Sequence, residues 1–505
     1  MKYSDKSLSE TKDKYIILWV LFFGYLIFNG ILLWGHELWR DEANVWLLAR
    51  DTTPWQLFGE LKYQGHPCLW YLIVMPFAKL GLPFPTISIL SFVVMAATAG
   101  IFVRRAPFSP MTKAICLFSP MFSYYYPVVA RNYCLIALFL ILLAYLYPRR
   151  NENCIVYGLM LGLLVQTDTI ALIAAGLISV MWMWEGISFG LRNHNWELCK
   201  KTAKGLWIPL VSLFLLLLQF IGVSESPEYD PQLLPVKEMV RAIFNCYYNI
   251  LARLTGRGGK FILLITLLFL VVGVLLSWKL RNLLPMIVAA GVFMYQAAFS
   301  VIIYRLHIWH NIVICFALIW FLWLGCADEN RDEENPKQWL NLSGRILAEV
   351  LLISLGLAMF LQWNSPEEQS NLANAWNGIY SDGIHVADYI SEYVEEDELI
   401  ICTNIPKAST VSAYLGKDYT FYYAATGNRV TFARYNESKE IDYEKLLIWV
   451  KDNFPENDSF YLLENEGSCI RNLPKDIEKS WDICYQTVEE TARGENYILY
   501  RVPLF

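Results

Sequence analysis

The stretch that decides the fold is YIILWVLFFGYLIFNGILLW at residues 15–34, followed closely by Trp39-Arg40-Asp41-Glu42-Ala43. The apolar stretch has the ~20 residues that a helix needs to cross a bilayer. No small-residue cleavage site follows it, so we expect a retained span and not a signal peptide. Ionised groups at the mouth of a span are unfavourable unless they are solvated, paired or used, so Asp41 and Glu42 indicate a site. A solvated acid pair beside Arg40 is the plainer alternative.

The segment around these acids is predicted to form a short amphipathic helix. Its polar residues fall on one side and its apolar residues on the other, where they can contact lipid. The apolar residues are Leu38, Ala43, Val45, Trp46 and Ala49, and the polar ones are Arg40, Asp41, Glu42 and Asn44.

The composition is that of a multi-pass membrane protein. Apolar residues make up 56% of the 505 residues, and charged residues only 17%, where soluble proteins have about 25%. The 11 cysteines are scattered without metal-ligand spacing, so those inside apolar runs are expected to be inert packing residues. We expect no nucleic-acid partner.

The charge distribution divides the chain into two predicted domains. Residues 1–363 contain 29 Lys and Arg against 22 Asp and Glu, whereas residues 364–505 contain 12 against 25. We therefore predict a transmembrane domain at 1–363 and a soluble α/β domain at 364–505. In the soluble domain, residues 398–403, 459–463 and 497–501 are predicted strands. Residues 382–393 and 442–454 are predicted helices.

Eleven spans are predicted from the lengths of the apolar runs, with boundaries defined to within a few residues. The segment 67–82 contains two prolines and a lysine in only 16 residues, so it is predicted to be an interfacial helix and not a span. The predicted spans are 15–34, 86–103, 114–130, 133–147, 154–167, 170–186, 206–223, 261–279, 283–303, 308–325 and 345–362.

The basic residues support this topology. With 67–82 at the interface, 18 of the 29 Lys and Arg of residues 1–363 fall on the cytoplasmic side. Counting 67–82 as a span would export those clusters, which is unfavourable. The soluble domain then lies outside the cytoplasm, and we predict a plasma-membrane (cell-envelope) protein, with the endoplasmic reticulum as the alternative.

The same topology brings unusual polar residues to one membrane surface. They come from four separate segments and combine acids, arginines and histidines at the external ends of spans. These residues are Asp41, Glu42, His66, Arg131, Asp168, Arg305, His307 and His310.

Acids and arginines at a bilayer surface suit a reaction on a lipid phosphate. Arg131 and Arg305 can bind a phosphate group through paired hydrogen bonds, which lysine cannot match geometrically. The carboxylate of Asp41 can take a proton from an acceptor hydroxyl as that oxygen attacks an activated sugar carbon. Arginine stabilises the charge that develops on the leaving phosphate.

Four motifs, in order, resemble those of the GT-C membrane glycosyltransferases, particularly the protein O-mannosyltransferases and the lipid A aminoarabinose transferase. The segment 36–43, HELWRDEA, resembles the acidic motif of their first loop. The segment 65–72, GHPCLWYL, resembles their His-Pro-Pro-Leu-Tyr-Tyr stretch, with Cys68 in place of the second proline. Ala130-Arg131-Asn132-Tyr133 resembles their Ala-Arg-x-Tyr element, and Tyr304-Arg305-Leu306-His307 a late basic loop. The resemblance covers about residues 15–325.

The resemblance implies a GT-C-like catalytic domain that transfers a sugar from a polyprenyl-phosphate carrier to an acceptor on the outer face, with inversion. It implies Asp41 as general base, Glu42 as the residue orienting Asp41 or the acceptor, and Arg131 and Arg305 as ligands of the carrier phosphate. The further candidates for substrate binding are Tyr133, His66, Asp168 and His307. The sugar and the acceptor, which could be an envelope polymer, a lipid or a protein, do not follow from the resemblance.

Plainer roles remain for several of these residues. His307 and His310 have a spacing that could place both on a metal ion, or they touch phosphate or the interface. Asp168 is either a helix cap or a cavity acid. His66 could cap the interfacial helix, and Arg131 could anchor a turn. No cofactor is assigned, and a divalent metal stays open.

Two other classes of function compete with the enzyme. A transporter or lipid flippase would place ionisable groups near the bilayer midplane on broken helices, often with internal symmetry. Here the charges cluster at one surface and no repeat is visible. A membrane-anchored binding protein would carry its function in residues 364–505, which could also simply cover or select the substrate.

Overall fold

The computed structural model describes residues 2–221, 234–327, 338–364, 372–377, 380–434, 439–465 and 470–504. The helices of the N-terminal part are α1 Lys2–Trp34, α2 Arg40–Asp51, α3 Pro54–Glu60, α4 Leu69–Lys79, α5 Thr86–Arg105, α6 Pro110–Phe118, α7 Tyr133–Leu146, α8 Cys154–Val165, α9 Leu172–Arg192, α10 Trp196–Gln219, α11 Val236–Thr255, α12 Gly259–Leu280, α13 Leu284–Ile302, α14 Ile308–Cys326 and α15 Gln338–Trp363. Short 3-10 turns cover Leu61–Tyr63, Tyr147–Arg149 and Thr169–Ala171.

The C-terminal part mixes helices and strands. Its helices are α16 Leu372–Asn377, α17 Gly383–Tyr393, α18 Ile405–Leu415, α19 Tyr443–Asn453 and α20 Lys475–Glu478. Its strands are β1 Ile400–Cys402, β2 Phe421–Tyr423, β3 Arg429–Val430, β4 Ile441–Asp442, β5 Ser459–Asn465, β6 Ile470–Arg471, β7 Asp482–Gln486 and β8 Tyr497–Pro503.

The predicted class, an α-helical multi-pass membrane protein with a C-terminal α/β domain, is confirmed. Across the described ranges, eight helices are long and apolar enough to cross a membrane. Shorter apolar helices lie at Leu69–Lys79, Tyr133–Arg149 and Cys154–Val165. The first of these falls in the segment predicted to be an interfacial helix. The count of long spans is below the predicted eleven because α7 and α8 have only 14 and 12 residues and a third predicted span is not a continuous helix.

That third span, predicted at 114–130, is wrong as a helix. The helix α6 has nine residues, and a buried, non-helical segment at 119–132 follows it. Proline explains the end of the helix, because Pro120 disfavours helical backbone at Ser119, and Pro127 interrupts the rest.

Side chains of α1 satisfy the polar backbone of this non-helical segment. The Tyr25 hydroxyl donates to the Phe122 carbonyl at 3.0 Å. Asn29 donates to the Ser123 hydroxyl and accepts from the Tyr124 amide. Backbone amides and carbonyls away from water need such partners. The contacts therefore explain how irregular backbone persists inside an apolar bundle.

The segment between α5 and α7 connects opposite ends of the helix bundle. The last residues of α5 and α7 line one groove, with the Arg105 guanidinium 5.4 Å from the Tyr145 ring centre. The two helices therefore run in the same direction. The segment 106–132 must return to the start of α7, and it does so as a short helix plus irregular chain.

Two compact units make up the structure. One comprises residues 1–31, 65–69 and 91–368, and the other comprises 32–64, 70–90 and 369–505. The second unit thus combines the C-terminal residues with the segment that carries Asp41 and with the apolar helix α4. The predicted folding domains 1–363 and 364–505 stay a prediction.

The helix α14 is the core of the first unit. All its residues except Trp309 are buried, and it packs against α7, α11, α12, α13 and α15. A helix that is apolar all round is stable only when other helices surround it.

The second unit is built on a six-stranded sheet in the order β3-β2-β1-β5-β8-β7. The central strand β1 pairs in parallel with β2 and β5, while β8 pairs antiparallel with β5 and β7. The helix α18 packs against both α17 and α2. The strands predicted at 398–403, 459–463 and 497–501 and the helices predicted at 382–393 and 442–454 are confirmed, to within a few residues, by β1, β5, β8, α17 and α19.

Candidate functional site

Three of the predicted site residues meet in the first unit. A ring nitrogen of His66, Nδ1, lies 3.2 Å from Oδ2 of Asp168. The other ring nitrogen, Nε2, lies 3.2 Å from Nη2 of Arg131. An arginine can only donate, so Nε2 accepts when the ring is neutral, and the ring proton then sits on Nδ1, facing the carboxylate. The three side chains form a row of acid, imidazole and guanidinium, called here the Asp168–His66–Arg131 row.

Asp168 remains charged in this row. Burial alone would raise its pKa, but the interaction with His66 and the amide of Ile170 lower it to about 2. The Ile170 amide donates to Oδ1 at 2.9 Å, at the start of the turn Thr169–Ala171. Asp168 therefore caps this turn, which is one of the two roles that the sequence left open, and its side chain is buried.

The buried segment 119–132 delivers the arginine to this row. Asn132, its last residue, donates to Oδ2 of Asp168 and to the Thr167 carbonyl, both at 2.7 Å. Arg131 lies over the ring of Tyr133, with its guanidinium carbon 5.8 Å from the ring centre. The side chain of Tyr133 is buried and stacks on that of Tyr126. The arginine is thereby held by the first residues of α7.

The start of α14 adds a second imidazole. The ring of His310 packs edge-on against Tyr133, with 5.4 Å between ring centres. Its Nδ1 accepts the backbone amide of His307 at 2.9 Å, which caps the helix. The exposed ring of His307 stacks on Trp309 at 4.7 Å. Tyr133 thus touches both Arg131 and His310, and the positive end of a helix dipole lies beside it.

Among the residues predicted to bind the carrier phosphate, Arg305 does not join this cluster. Arg305 is exposed, and it forms no hydrogen bond or ion pair with any residue that the structure describes. The loop before α14 is instead held by Arg253, which donates to the Leu306 carbonyl at 2.8 Å. The role of Arg305 stays a prediction.

No metal centre is found in the described part of the chain, where no three His, Cys, Asp or Glu side chains gather at ligand distance. The ring nitrogen Nδ1 of His310 already accepts a backbone amide. The contacts of His307 and His310 in the structure are helix capping and aromatic stacking, and their predicted contact with phosphate or the interface stays a prediction.

The second unit contains the two acids of the predicted acidic motif, in different surroundings. Glu42 is 0% exposed, and its carboxylate lies 3.2 Å from Nε2 of His36. It also accepts the backbone amide of Trp39 at 3.1 Å, at the start of α2. Because the side chain of Glu42 is closed off by His36 and its own helix, its contacts are structural.

Asp41 is the accessible acid of the pair. Its side chain is 19% exposed, and Oδ1 lies 3.7 Å from Nε of Arg40. A second arginine, Arg493, packs against the rings of Trp39 and Tyr380 at 5.0 and 4.7 Å. The neighbourhood of Asp41 therefore combines two guanidinium groups with aromatic rings.

A buried carboxylate holds the start of α2 in place. Glu495 accepts the amide of Arg40 through Oε1 at 2.9 Å. Its Oε2 accepts the hydroxyls of Ser381, Thr410 and Tyr497. Burial raises the pKa of Glu495 to about 7, although these donors and Arg40 lower it. A nearby acid, Glu37, accepts the amides of Tyr380 and Ser381.

Sequence reasoning missed Arg493, Glu495, Tyr380 and Asn132. The first three belong to the C-terminal part, where no recognised motif marks them. Asn132 stands inside the Ala-Arg-x-Tyr element, so its position next to Arg131 was the available signal. Ordinary polar residues become site residues only through contacts that link distant segments.

Comparisons with known proteins are sparse. No protein family matches the sequence, and no curated protein sequence matches it. Among solved structures, the chain is similar to the crystal structure of ArnT from Cupriavidus metallidurans bound to undecaprenyl phosphate. The similarity covers 98% of each chain at 11% sequence identity, with a TM-score of 0.48.

Replacing Asp168 with asparagine is expected to destabilise the first unit in a pH-dependent way. The pKa of Asp168 is lowered on folding, so its stabilisation is present at neutral pH and disappears as the pH falls toward 2. The variant should lose about 2 kcal/mol at pH 7, and the gap should close in acid. Denaturant unfolding of detergent-solubilised protein from pH 2 to 7 measures this. The exposed Glu152→Gln is the matched control, and a gap that is constant over this range would contradict the assignment.

Replacing Glu495 with glutamine is expected to flatten the pH dependence of the second unit. The pKa of Glu495 is raised on folding, so the wild type loses stability as the pH rises through 7. Glutamine keeps an oxygen for the Arg40 amide and has no charge to bury. The stability of the variant relative to the wild type should therefore rise by about 3 kcal/mol between pH 5 and pH 8.

Thermal unfolding from pH 5 to 9 measures the effect of Glu495→Gln, with the exposed Glu395→Gln as control. A pH profile that the glutamine leaves unaltered would show that Glu495 does not change its charge in this range.

Proposed function

We propose that this protein is a membrane glycosyltransferase that moves a sugar from a polyprenyl-phosphate carrier to an acceptor at the outer face of the membrane. The observation that carries the proposal is the Asp168–His66–Arg131 row. It presents a guanidinium and an imidazole at the ends of apolar helices, backed by a carboxylate that stays ionised. The same order of motifs that resembles the GT-C glycosyltransferases supports it.

A phosphate group suits the row better than other anions do. Arg131 offers a planar fork of donors to two phosphate oxygens. The ring of His66 lies beside Arg131, with Nε2 3.2 Å from Nη2, so it can contact a third oxygen of the same phosphate. Apolar helices around the row suit a long hydrocarbon tail on that phosphate. We assign Tyr133 and His307 to the walls of this phosphate site, and Arg305 to a further contact from the exposed loop before α14.

Asp41 is the proposed general base. Its partial exposure lets an acceptor hydroxyl reach it, whereas the buried Glu42 is closed to substrate and keeps the start of α2 in position. We assign Glu42, together with Glu495, the role of positioning Asp41. The guanidinium of Arg40 lies 3.7 Å from the carboxylate of Asp41, and Arg493 packs on the ring of Trp39 at the start of the same helix.

In the proposed reaction the acceptor oxygen attacks the sugar carbon from the face opposite the phosphate. The new carbon–oxygen bond forms as the bond to the phosphate oxygen breaks, which inverts the configuration at that carbon. The acceptor proton passes to Asp41. The bonding electrons leave with the phosphate, whose added negative charge Arg131 and His66 stabilise. The sugar and the acceptor are to be identified by experiment, and no cofactor takes part in this scheme.

The Arg131 assignment is tested by substitution with lysine and glutamine. Arg131→Lys keeps the charge but loses the paired hydrogen bonds, so sugar transfer should fall about 10- to 100-fold, and Arg131→Gln should lower it further. The substrates are polyprenyl-phosphate hexoses and pentoses labelled in the sugar, with cell membranes as acceptor source. Loss of label from the lipid is the readout. Arg149→Lys, an exposed arginine elsewhere, is the control, and full activity of Arg131→Gln would contradict the assignment.

The Asp41 assignment is tested in the same assay. Asp41→Asn should abolish transfer, a loss of 10² to 10⁴ or more expected for removal of a base, while the labelled donor still binds. Asp51→Asn changes an acid at the other end of α2 and should leave transfer intact.

Three outcomes separate the functional classes. A fully active Asp41→Asn would remove Asp41 as base. Movement of intact labelled lipid across vesicle membranes, without release of sugar, would favour the transporter or flippase. Donor binding confined to the C-terminal part, with no transfer, would favour the binding protein.

A further inference from the structure

An apolar groove lies in the first unit at the end of α7 away from the Asp168–His66–Arg131 row. It has a volume of about 540 Å³ and is formed by α1, α5 and α7. Its apolar wall includes Leu18, Trp19, Phe22 and Ile101, and Arg104 and Arg105 line it as well. The proposed chemistry uses none of these residues.

The groove is distinct from the proposed carrier site because of the length of α7. Tyr133, beside the row, is the first residue of the helix, whereas Tyr145 at its other end lines the groove. Twelve residues of helix span about 18 Å. A phosphate bound at one site could not reach the other.

The arginines are placed to recognise an anion beside hydrocarbon. Arg104 and Arg105 are the last two residues of α5 and both are exposed. Arg105 lies over the ring of Tyr145. Among the side chains that the structure describes, which in α1 begin at Tyr15, no carboxylate forms an ion pair with either arginine. Two adjacent cations at the end of an apolar groove are complementary to a lipid that carries a negative head group on acyl chains.

We propose that this groove is a binding site for an anionic glycerophospholipid of the surrounding bilayer. The acyl chains lie along Leu18, Phe22 and Ile101, and the phosphate contacts Arg104 and Arg105. Aromatic side chains at Tyr15 and Tyr145 suit the boundary between hydrocarbon and head group. Because α1 is otherwise the least covered of the long helices, a bound lipid would complete its packing.

The test uses full-length protein in micelles supplied with either phosphatidylglycerol or phosphatidylcholine, which share acyl chains and differ in head-group charge. Native mass spectrometry counts the retained lipids. The wild type should retain one more phosphatidylglycerol than the double variant Arg104→Gln/Arg105→Gln, with about a tenfold difference in affinity for that lipid. The double variant Arg149→Gln/Arg192→Gln removes two exposed arginines outside the groove and should behave as wild type.

A second variant keeps the charges and fills the space. Gly100 lines the groove, so Gly100→Leu should displace the lipid while both arginines remain. Thermal unfolding with phosphatidylcholine alone checks that each variant is folded. An undiminished phosphatidylglycerol count in both groove variants would overturn the site.

The nature of the occupant is tested in the same experiment. Equal retention of phosphatidylcholine would overturn recognition of charge. Preferential displacement of phosphatidylglycerol by a polyprenyl phosphate would overturn the assigned lipid and make the groove a second carrier site. These results do not depend on Asp41 or Arg131, so the proposed function and this site can fail separately.

Discussion

A buried carboxylate that stays ionised is the constraint on which the first unit depends. Asp168 is surrounded by apolar helices, and its charge persists only because His66, Asn132 and the Ile170 amide face it. Each partner comes from a different part of the chain. Satisfying one charge therefore joins the segment before α4, the end of the irregular segment 119–132 and the turn before α9. Arg131 immediately precedes Asn132 in the chain, and its guanidinium lies beside the other ring nitrogen of His66.

The second unit also contains buried carboxylates, but it leaves one neighbouring acid accessible. Glu42 and Glu495 are both fully buried, and hydrogen bonds to both hold the start of α2. Asp41 immediately precedes Glu42 in α2, and part of its side chain stays exposed. Two structural acids thus leave one accessible acid, beside Arg40 and Arg493. In a proposed base this division is useful, since buried partners fix its position while solvent or substrate can still reach it.

The irregular segment 119–132 shows that buried backbone in a membrane protein need not be helical. Proline residues end α6 early, and the backbone that follows finds its hydrogen bonds in Tyr25, Asn29 and Ser91 instead. Buried non-helical backbone of this kind is stable only where protein surrounds it. The segment ends at Arg131 and Asn132, which contact His66 and Asp168.

The sequence by itself determined the class of the protein, because run length and composition alone decide whether a chain can cross a bilayer. It also determined the main strands and helices of the C-terminal part, since these follow from local periodicity, and it singled out Asp41, Arg131, His66 and Asp168 as candidates. Only the tertiary structure decided that Asp168 pairs with His66, that Glu42 is closed off, and that Glu495 and Arg493 surround α2. These facts depend on which distant segments pack together, and packing is settled by shape and by the pairing of buried charges, which no local pattern encodes. The failure at 114–130 has a mixed cause, because Pro120 and Pro127 are visible in the sequence, whereas the hydrogen bonds from α1 that satisfy the irregular chain are seen only in the structure.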